Sequence, residues 1–290
     1  MAAAAVLVAG TTAVGVSTAA AADSTVSVRV GSYNVRAGVS TGTFASAVSA
    51  AQPLVDVAGL QEVNSRAKEA VLAQLSGWGY YRPYRAPGVA TAGEQSPVMW
   101  RSDRFTYLSG GTSLIAPRWY IAHELPGRPS YTLPMFATVV HLQDKVSGRN
   151  ISVINVHLLP GAVINGNPIP GRPRCFAQFR RSTANLAALA ESEKAFGTVY
   201  VLGDFNIGWV ADHRVHRTQL PYATFLRHGM SSMWATQRPS GGRGSHVGSP
   251  SLIDQVYSTQ RSAASVVQYG ITYSDHYPVV ARYDYALPAA

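Results

Sequence analysis

The chain has 290 residues, 47% of them hydrophobic, with 24 Lys and Arg against 15 Asp and Glu and a formal net charge of +9. That apolar content excludes a disordered chain, and the single Cys175 excludes an internal disulfide framework and any cysteine-based zinc site. The positive balance suits an acidic partner such as a nucleic acid or an anionic lipid surface. Residues 1–22 carry no charge and end in Ala20-Ala21-Ala22 before Asp23. They have the apolar and small-residue cleavage regions of a secretory signal segment, without the basic stretch that usually opens one, and are richer in Ala and Gly than a permanent anchor. The expectation is a secreted protein, mature from near Asp23, with one domain over 23–290.

From Val26 onward, short β-rich runs alternate with helical stretches. Val26, Val28 and Val30 alternate with polar residues into Ser32-Tyr33-Asn34, the pattern of a half-buried strand. An Ala-rich helix is predicted over 43–51, stopping before Pro53, then a strand over 55–63 and a helix over 66–75 closed by Gly77. Strands follow around 98–101, 136–142 and 151–157, and the longest helix over 176–194, where Phe179, Leu186 and Leu189 share roughly one face. The last strands fall at 198–202, 252–257 and 277–285. Gly- and Pro-rich stretches at 159–173 and 238–250 read as loops. The alternation implies an α/β chain.

Acids are scarce, so their placement is informative. Asn34 closes the first strand, and Glu62 follows Gly59-Leu60-Gln61. Asn155 and His157 end a strand, and Asp204 and Asn206 follow one in Gly203-Asp204-Phe205-Asn206. Asp254 lies in Ile253-Asp254-Gln255-Val256, and Asp275-His276 precede the last strand. A carboxylate set among Leu, Ile and Val is costly to bury unless it is paired or binds a metal. In α/β sheets such positions converge where strand ends meet loops.

These six segments, in this order, resemble the endonuclease/exonuclease/phosphatase superfamily, whose members include deoxyribonuclease I, apurinic endonucleases, neutral sphingomyelinases and inositol polyphosphate 5-phosphatases. The resemblance spans about Val26 to Tyr285. It implies a four-layer α/β sandwich, two packed mixed β-sheets flanked by helices, as one catalytic domain that hydrolyses phosphate esters. It further implies Glu62 as the main metal ligand with Asn34 and Asp275, and Mg²⁺ or Mn²⁺ as the ion, with Ca²⁺ in support; oxygen donors suit such hard cations. Asp204 and Asn206 match the pair that handles the attacking water and a phosphoryl oxygen. His276 matches the catalytic histidine, oriented by Asp254, and the formal base is open between His276 and Asp204. His157 fits a second histidine found in the deoxyribonuclease, sphingomyelinase and 5-phosphatase branches. Arg36 stands where apurinic endonucleases carry an acid, which points away from that branch. Asn155 and Arg180 are candidates for substrate binding, with Arg181 beside the latter.

Three functions use or could retain this core. A secreted nuclease acting on DNA or RNA is favoured by the charge and by Arg172, Arg174, Arg214, Arg217, Arg238 and Arg243 in loops near the strand ends. A phosphodiesterase or phosphatase for a phospholipid headgroup or an inositol phosphate needs the same centre, although residues 164–169 make a poor membrane-inserting loop. A binding module without catalysis would be expected to lack a motif residue, and none is missing. No obligate protein partner is evident. Trp119, Tyr120 and Tyr131 are candidates for a stacking side chain near the site. His213 and His216 have the spacing of a helical metal clip but are read as part of a basic loop, and His123, His141, His228 and His246 as ordinary residues.

Overall fold

In a computed structural model of the chain, residue 1 and residues 25–83, 95–237 and 242–287 are described. Residues 2–22 of the expected signal segment, Asp23 and Arg238 lie outside the described residues.

Strand alternation divides the side chains between two faces. In β1 (Thr25–Asn34), β2 (Val57–Gln61), β7 (Asn150–His157) and β10 (Thr198–Asp204), the residues Val28, Val30, Val57, Ile151, Val153, Tyr200 and Leu202 form one buried cluster. Their neighbours one position along face the other way. Tyr33, Ala58 and Leu60 pack with α1 (Thr41–Ala51) and α2 (Arg66–Ala73) through Phe44, Val48 and Leu72. Ile154, Val156, Val199 and Val201 pack with α3 (Pro173–Glu193) and α5 (Pro221–Arg227) through Phe179, Leu186 and Phe225. The result is four layers, helix, sheet, sheet and helix, with the central core between the sheets.

The first sheet runs β13-β14-β1-β2-β4-β3 and the second β11-β12-β10-β7-β6-β5. The remaining strands are β3 (Trp78–Tyr81), β4 (Val98–Arg101), β5 (Phe105–Ala116), β6 (Met135–Asp144), β11 (Ser231–Ser232), β12 (Asp254–Ser258), β13 (Ala264–Val267) and β14 (Val279–Ala286), and β8 (Val163–Ile164) pairs with β9 (Asn167–Pro168) in a small hairpin. Both sheets are mixed: β1 and β2 are parallel, as are β7 and β10, while β14 is antiparallel to β1 and β12 antiparallel to β10. The carboxyl ends of β1, β2, β7 and β10 therefore meet the amino ends of β12 and β14 at one edge of the sandwich.

Local chemistry accounts for the helix limits. Ser40 caps α1 by accepting from the Thr43 N–H at 3.1 Å, and the helix buries Phe44, Ala47, Val48 and Ala51, spaced three or four apart. Ser65 caps α2 in the same way, and Gly77 takes the left-handed conformation expected after it. Pro173 opens α3, and the Glu124 carboxylate accepts from the Arg174 and Cys175 N–H groups there.

The structure departs from the sequence reading in places. The predicted strand 55–63 narrows to β2, because Glu62 takes a left-handed φ of 64° that breaks the ladder. β5, β3 and β13 were not predicted. Residues 212–215 are helical rather than loop: His213 lies in α4 (Trp209–Val215), His216 caps its end in the left-handed conformation, and both rings pack on Tyr222.

Candidate active site

Continuing each inward-facing row of the central core to the shared edge gives the site. Val28 and Val30 lead through Ser32 to Asn34; Ile151 and Val153 lead through Asn155 to His157; Tyr200 and Leu202 lead to Asp204. The two-residue period that builds the apolar core thus also aims the polar residues into the gap between the sheets.

Asn34 spans that gap. Its Nδ2 donates to Glu62 Oε1 and to Asp204 Oδ2, each at 3.1 Å. Glu62 Oε2 accepts from the Ala37 N–H at 2.6 Å, and Lys68, buried on α2, donates from Nζ to the Arg36 and Ala37 carbonyls and so holds that turn. Asp204 is 2% exposed. Its Oδ1 accepts from the Asn206 N–H at 2.9 Å, while Oδ2 also lies 3.4 Å from His157 Nε2 and 3.7 Å from His276 Nε2. His157 and Asp204 are register partners across the parallel β7/β10 pair, and Asp254 is the partner of Asp204 on the other side.

His276 Nδ1 bonds Asp254 Oδ2 at 2.8 Å, and Ser245 Oγ accepts from the Asp254 N–H. Burial disfavours the imidazolium, but Asp254, then Asp204 and Asp275, outweigh it and raise the ring to about 9. Burial tends to raise Asp254 itself. The two groups form one unit, with the shared proton on the ring nitrogen. Burial would also raise Glu62, yet the Ala37 N–H, the Asn34 amide and the two histidines hold it below the ordinary carboxylate range.

Three residues at this edge carry left-handed backbone without being glycine: Arg36, Glu62 and Asn206. Such conformations cost of order 1–3 kcal/mol each and persist where surrounding bonds enforce them; here those bonds run through Asn34, Ala37 and Asp204.

The donor set fits a hard divalent cation. Among the described residues, neither Glu62 nor Asp204 has an Arg or Lys ion pair, and the basic groups beside Asp204 are the His157 and His276 rings. Asp204, Asp254 and His276 also present ligand atoms within 4.8 Å of one another. Oxygen from Glu62 and Asp204 matches Mg²⁺ or Mn²⁺ chemistry, and Asn34 would join them through Oδ1, which here accepts from the Arg36 N–H. Asp275 stands to one side, 3.4 Å from Arg36 and accepting from Ser274 Oγ.

Two expected site residues are placed elsewhere. Asn155 is 0% exposed and cannot meet substrate. Its Nδ2 donates to the Leu60 and Pro97 carbonyls and its Oδ1 accepts from Gln61, tying the second sheet to the first. Gly59 permits this closeness, since a Cβ there would sit 2.6 Å from the Asn155 amide. Arg180 lies on α3 and lines a separate cavity with Trp119, Thr218 and Arg227. Conversely, Lys68, Ser245 and His246, whose ring meets His276 edge-on at 4.8 Å, belong to the neighbourhood and were not foreseen. A readable sign for Lys68 was its place four residues before Leu72, on the buried stripe of α2.

Beside these residues opens a cleft of about 740 Å³ whose lining includes Glu62, His157, Ile121, Leu125, Tyr131, Leu133, Arg118 and Arg128.

A family model described as "Endonuclease/Exonuclease/phosphatase family" matches residues 31–276. No curated protein matches the chain. Among solved structures, an endonuclease/exonuclease/phosphatase family protein from Bacteroides thetaiotaomicron is similar with a TM-score of 0.66 and 16% identity, covering 93% of this chain and 100% of that one. A mannosyl-6-phosphatase of the same organism gives 0.62 and 16%, over 88% and 98%. TDP2 of D. rerio complexed with single strand DNA product gives 0.57 and 11%, over 89% and 99%. At these identities the likeness is one of fold.

Proposed function

The chain belongs to the endonuclease/exonuclease/phosphatase family, and from that premise we propose that it is a secreted, divalent-metal-dependent phosphodiesterase whose substrate is nucleic acid. One observation carries the reaction type: Asp204 Oδ2 is shared by Asn34, His157 and His276, and His276 is backed by Asp254. Glu62, Asn34 and Asp204 would hold the ion. When bound, a divalent cation supplies positive charge to the phosphate oxygens as negative charge builds on them.

The chain's own groups divide the remaining work. Asp254 fixes the His276 tautomer and favours the charged ring, so His276 Nε2 donates a hydrogen bond or proton rather than accepting one. Asp204, an ionisable acceptor held by the Asn206 N–H, is then the group that takes the proton of the attacking water. His157 Nε2 stands on the same oxygen and faces the cleft, where it can donate to a phosphoryl oxygen. Asn206 orients Asp204 through its backbone, while its side chain donates to the Leu158 carbonyl at 2.9 Å.

The net charge of +9 supports a polyanionic substrate, as does the DNA product named for the D. rerio relative. The phosphatase named for the Bacteroides relative supports a phosphomonoester instead. A substrate panel decides: plasmid, single-stranded DNA, RNA, sphingomyelin and inositol phosphates, each with Mg²⁺ and with EDTA. The expected result is polynucleotide cleavage that EDTA abolishes; folded protein that cleaves no polynucleotide would overturn the reading. Export is tested separately by producing the full chain in a secreting host. Protein recovered from the medium should begin near Asp23, and retention of residues 1–22 would contradict the signal assignment.

A further inference from the structure

Between β5 and β6 the chain makes an 18-residue excursion, 117–134, long for a connection inside a compact domain. It folds back on itself: the Ile121 N–H donates to the Ser130 carbonyl at 2.7 Å and the Thr132 N–H to the Trp119 carbonyl at 2.9 Å, setting Tyr120 opposite Tyr131. That pairing exposes a row of four side chains, with the two tyrosine rings tilted 51° to each other. The Arg118 guanidinium lies over the Tyr131 ring at 4.3 Å, the Tyr131 and Tyr120 rings are 5.0 Å apart, and Arg174 lies over Tyr120 at 4.6 Å. Tyr120 and Tyr131 are 45% and 46% exposed.

The row is joined to the reactive centre. Arg118, Arg128 and Tyr131 line the same cleft as Glu62 and His157. The excursion's one acid, Glu124, is taken up by the first N–H groups of α3, those of Arg174 and Cys175. The exposed strip offers aromatic rings and guanidinium charge, none of it in an ion pair with Glu124 among the described residues. An acyl chain would use the apolar wall but has no use for the guanidiniums. A paired duplex would present its phosphates and hide its base faces. Flat aromatic groups linked by phosphates match both features, because stacking on aromatic or guanidinium planes needs unpaired bases.

We propose that Arg118, Tyr131, Tyr120 and Arg174 form a stacking platform for unpaired nucleobases, which makes the substrate a single-stranded polynucleotide threaded from the platform to the phosphate site. This rests on the phosphodiesterase reading and adds its substrate form. Tyr131 and Arg118 act nearest the scissile phosphate, and Tyr120 and Arg174 hold the base beyond.

The test measures binding on the full mature chain carrying His276→Ala, with fluorescein-labelled oligodeoxythymidylate, the corresponding duplex, and sphingomyelin–phosphatidylcholine vesicles as probes. The expected result is single-strand binding at least about fivefold tighter than duplex, with no vesicle binding. Tyr131→Ala or Tyr120→Ala should weaken it about tenfold, as the loss of one stacked base would, while Tyr131→Phe stays near the parent. Equal or tighter duplex binding, or Tyr→Ala variants of parental Tm that bind unchanged, would overturn the platform. Tyr-dependent vesicle binding would assign the strip to a lipid surface instead. Should an alanine variant fail to fold, Arg118→Gln with its salt dependence replaces it: a single-strand affinity and salt slope equal to the parent's would overturn the platform. Hydrolysis of bis(4-nitrophenyl) phosphate by the parent with Mg²⁺ separates the two claims. Its absence counts against the phosphodiesterase reading, whereas its presence together with unchanged Tyr variants counts against the platform alone.

Discussion

Asp254 accepts from His276 at the wall of the site and makes no contact with the cleft, so its effect on turnover passes through the ring it holds. Asp254→Asn keeps the volume but offers either an amide donor or a weaker acceptor, and removes the charge that keeps the ring protonated. Steady-state kinetics should show kcat reduced by about 10²–10⁴-fold, the usual worth of positioned acid–base groups, with KM little changed; full activity would refute the pairing. Asp212 behaves differently. It is fully buried, its Oδ2 accepts from the Tyr222 N–H, its Oδ1 has no hydrogen-bond partner among the described residues, and burial raises it to about 7. The fold binds this proton more tightly than the unfolded chain does. The stability it contributes is complete below the unfolded value near 3.8 and is lost as pH rises through about 7. Asp212→Asn removes that dependence, so the gain in Tm of the variant over the parent should be larger at pH 8 than at pH 5. An equal gain at both would show that the carboxyl is already ionised at pH 5.

Strands and their register explain which residues could be read from sequence. Alternating Val in β1 and the apolar runs of β7 and β10 placed the core rows correctly, and polar residues at the ends of those rows marked the site. The same logic misplaced Asn155. It shares an inward row with His157, but two residues deeper it meets the other sheet rather than the cleft. Sequence shows the row and not the depth at which the sheets close. Asn155→Ala would remove three buried hydrogen bonds between the sheets, while Gln61 Nε2 keeps the Gly59 carbonyl and the Pro97 carbonyl keeps the Leu60 N–H; each bond lost is worth roughly 0.5–1.5 kcal/mol. Urea unfolding should record a loss of at least about 2 kcal/mol; an unchanged midpoint would mean that the strut is dispensable. β5 escaped notice because it is an edge strand, mostly exposed and interrupted by Gly110 and Gly111, so it carries no two-residue hydrophobic period. α4 was hidden by its polar Asp212-His213-Arg214 segment, whose packing on Tyr222 only the tertiary fold creates. Arg180 illustrates the limit of helix reasoning. Its place near the start of α3 suggested phosphate, but the turn of the helix directs it to another face.

Across the whole molecule, scarce acids and abundant arginines are sorted in space. Glu62, Asp204 and Asp254, which have no Arg or Lys ion pair among the described residues, meet at one edge, and Arg118 and Arg128 line the cleft beside it. Such a charge distribution predicts polynucleotide binding that weakens steeply between 50 and 200 mM salt, since each neutralised phosphate releases a counterion; a flat salt response in a binding titration would argue for a small neutral-bodied substrate. The most direct test of the central claim is the rate of polynucleotide cleavage by one enzyme preparation with Mg²⁺, after EDTA, and after Mg²⁺ is restored in excess, run beside Asp204→Ala. The expected outcome is cleavage that EDTA removes and Mg²⁺ restores, and that Asp204→Ala lowers by several orders of magnitude. Cleavage that persists in EDTA, or in the folded Asp204→Ala protein, would contradict it.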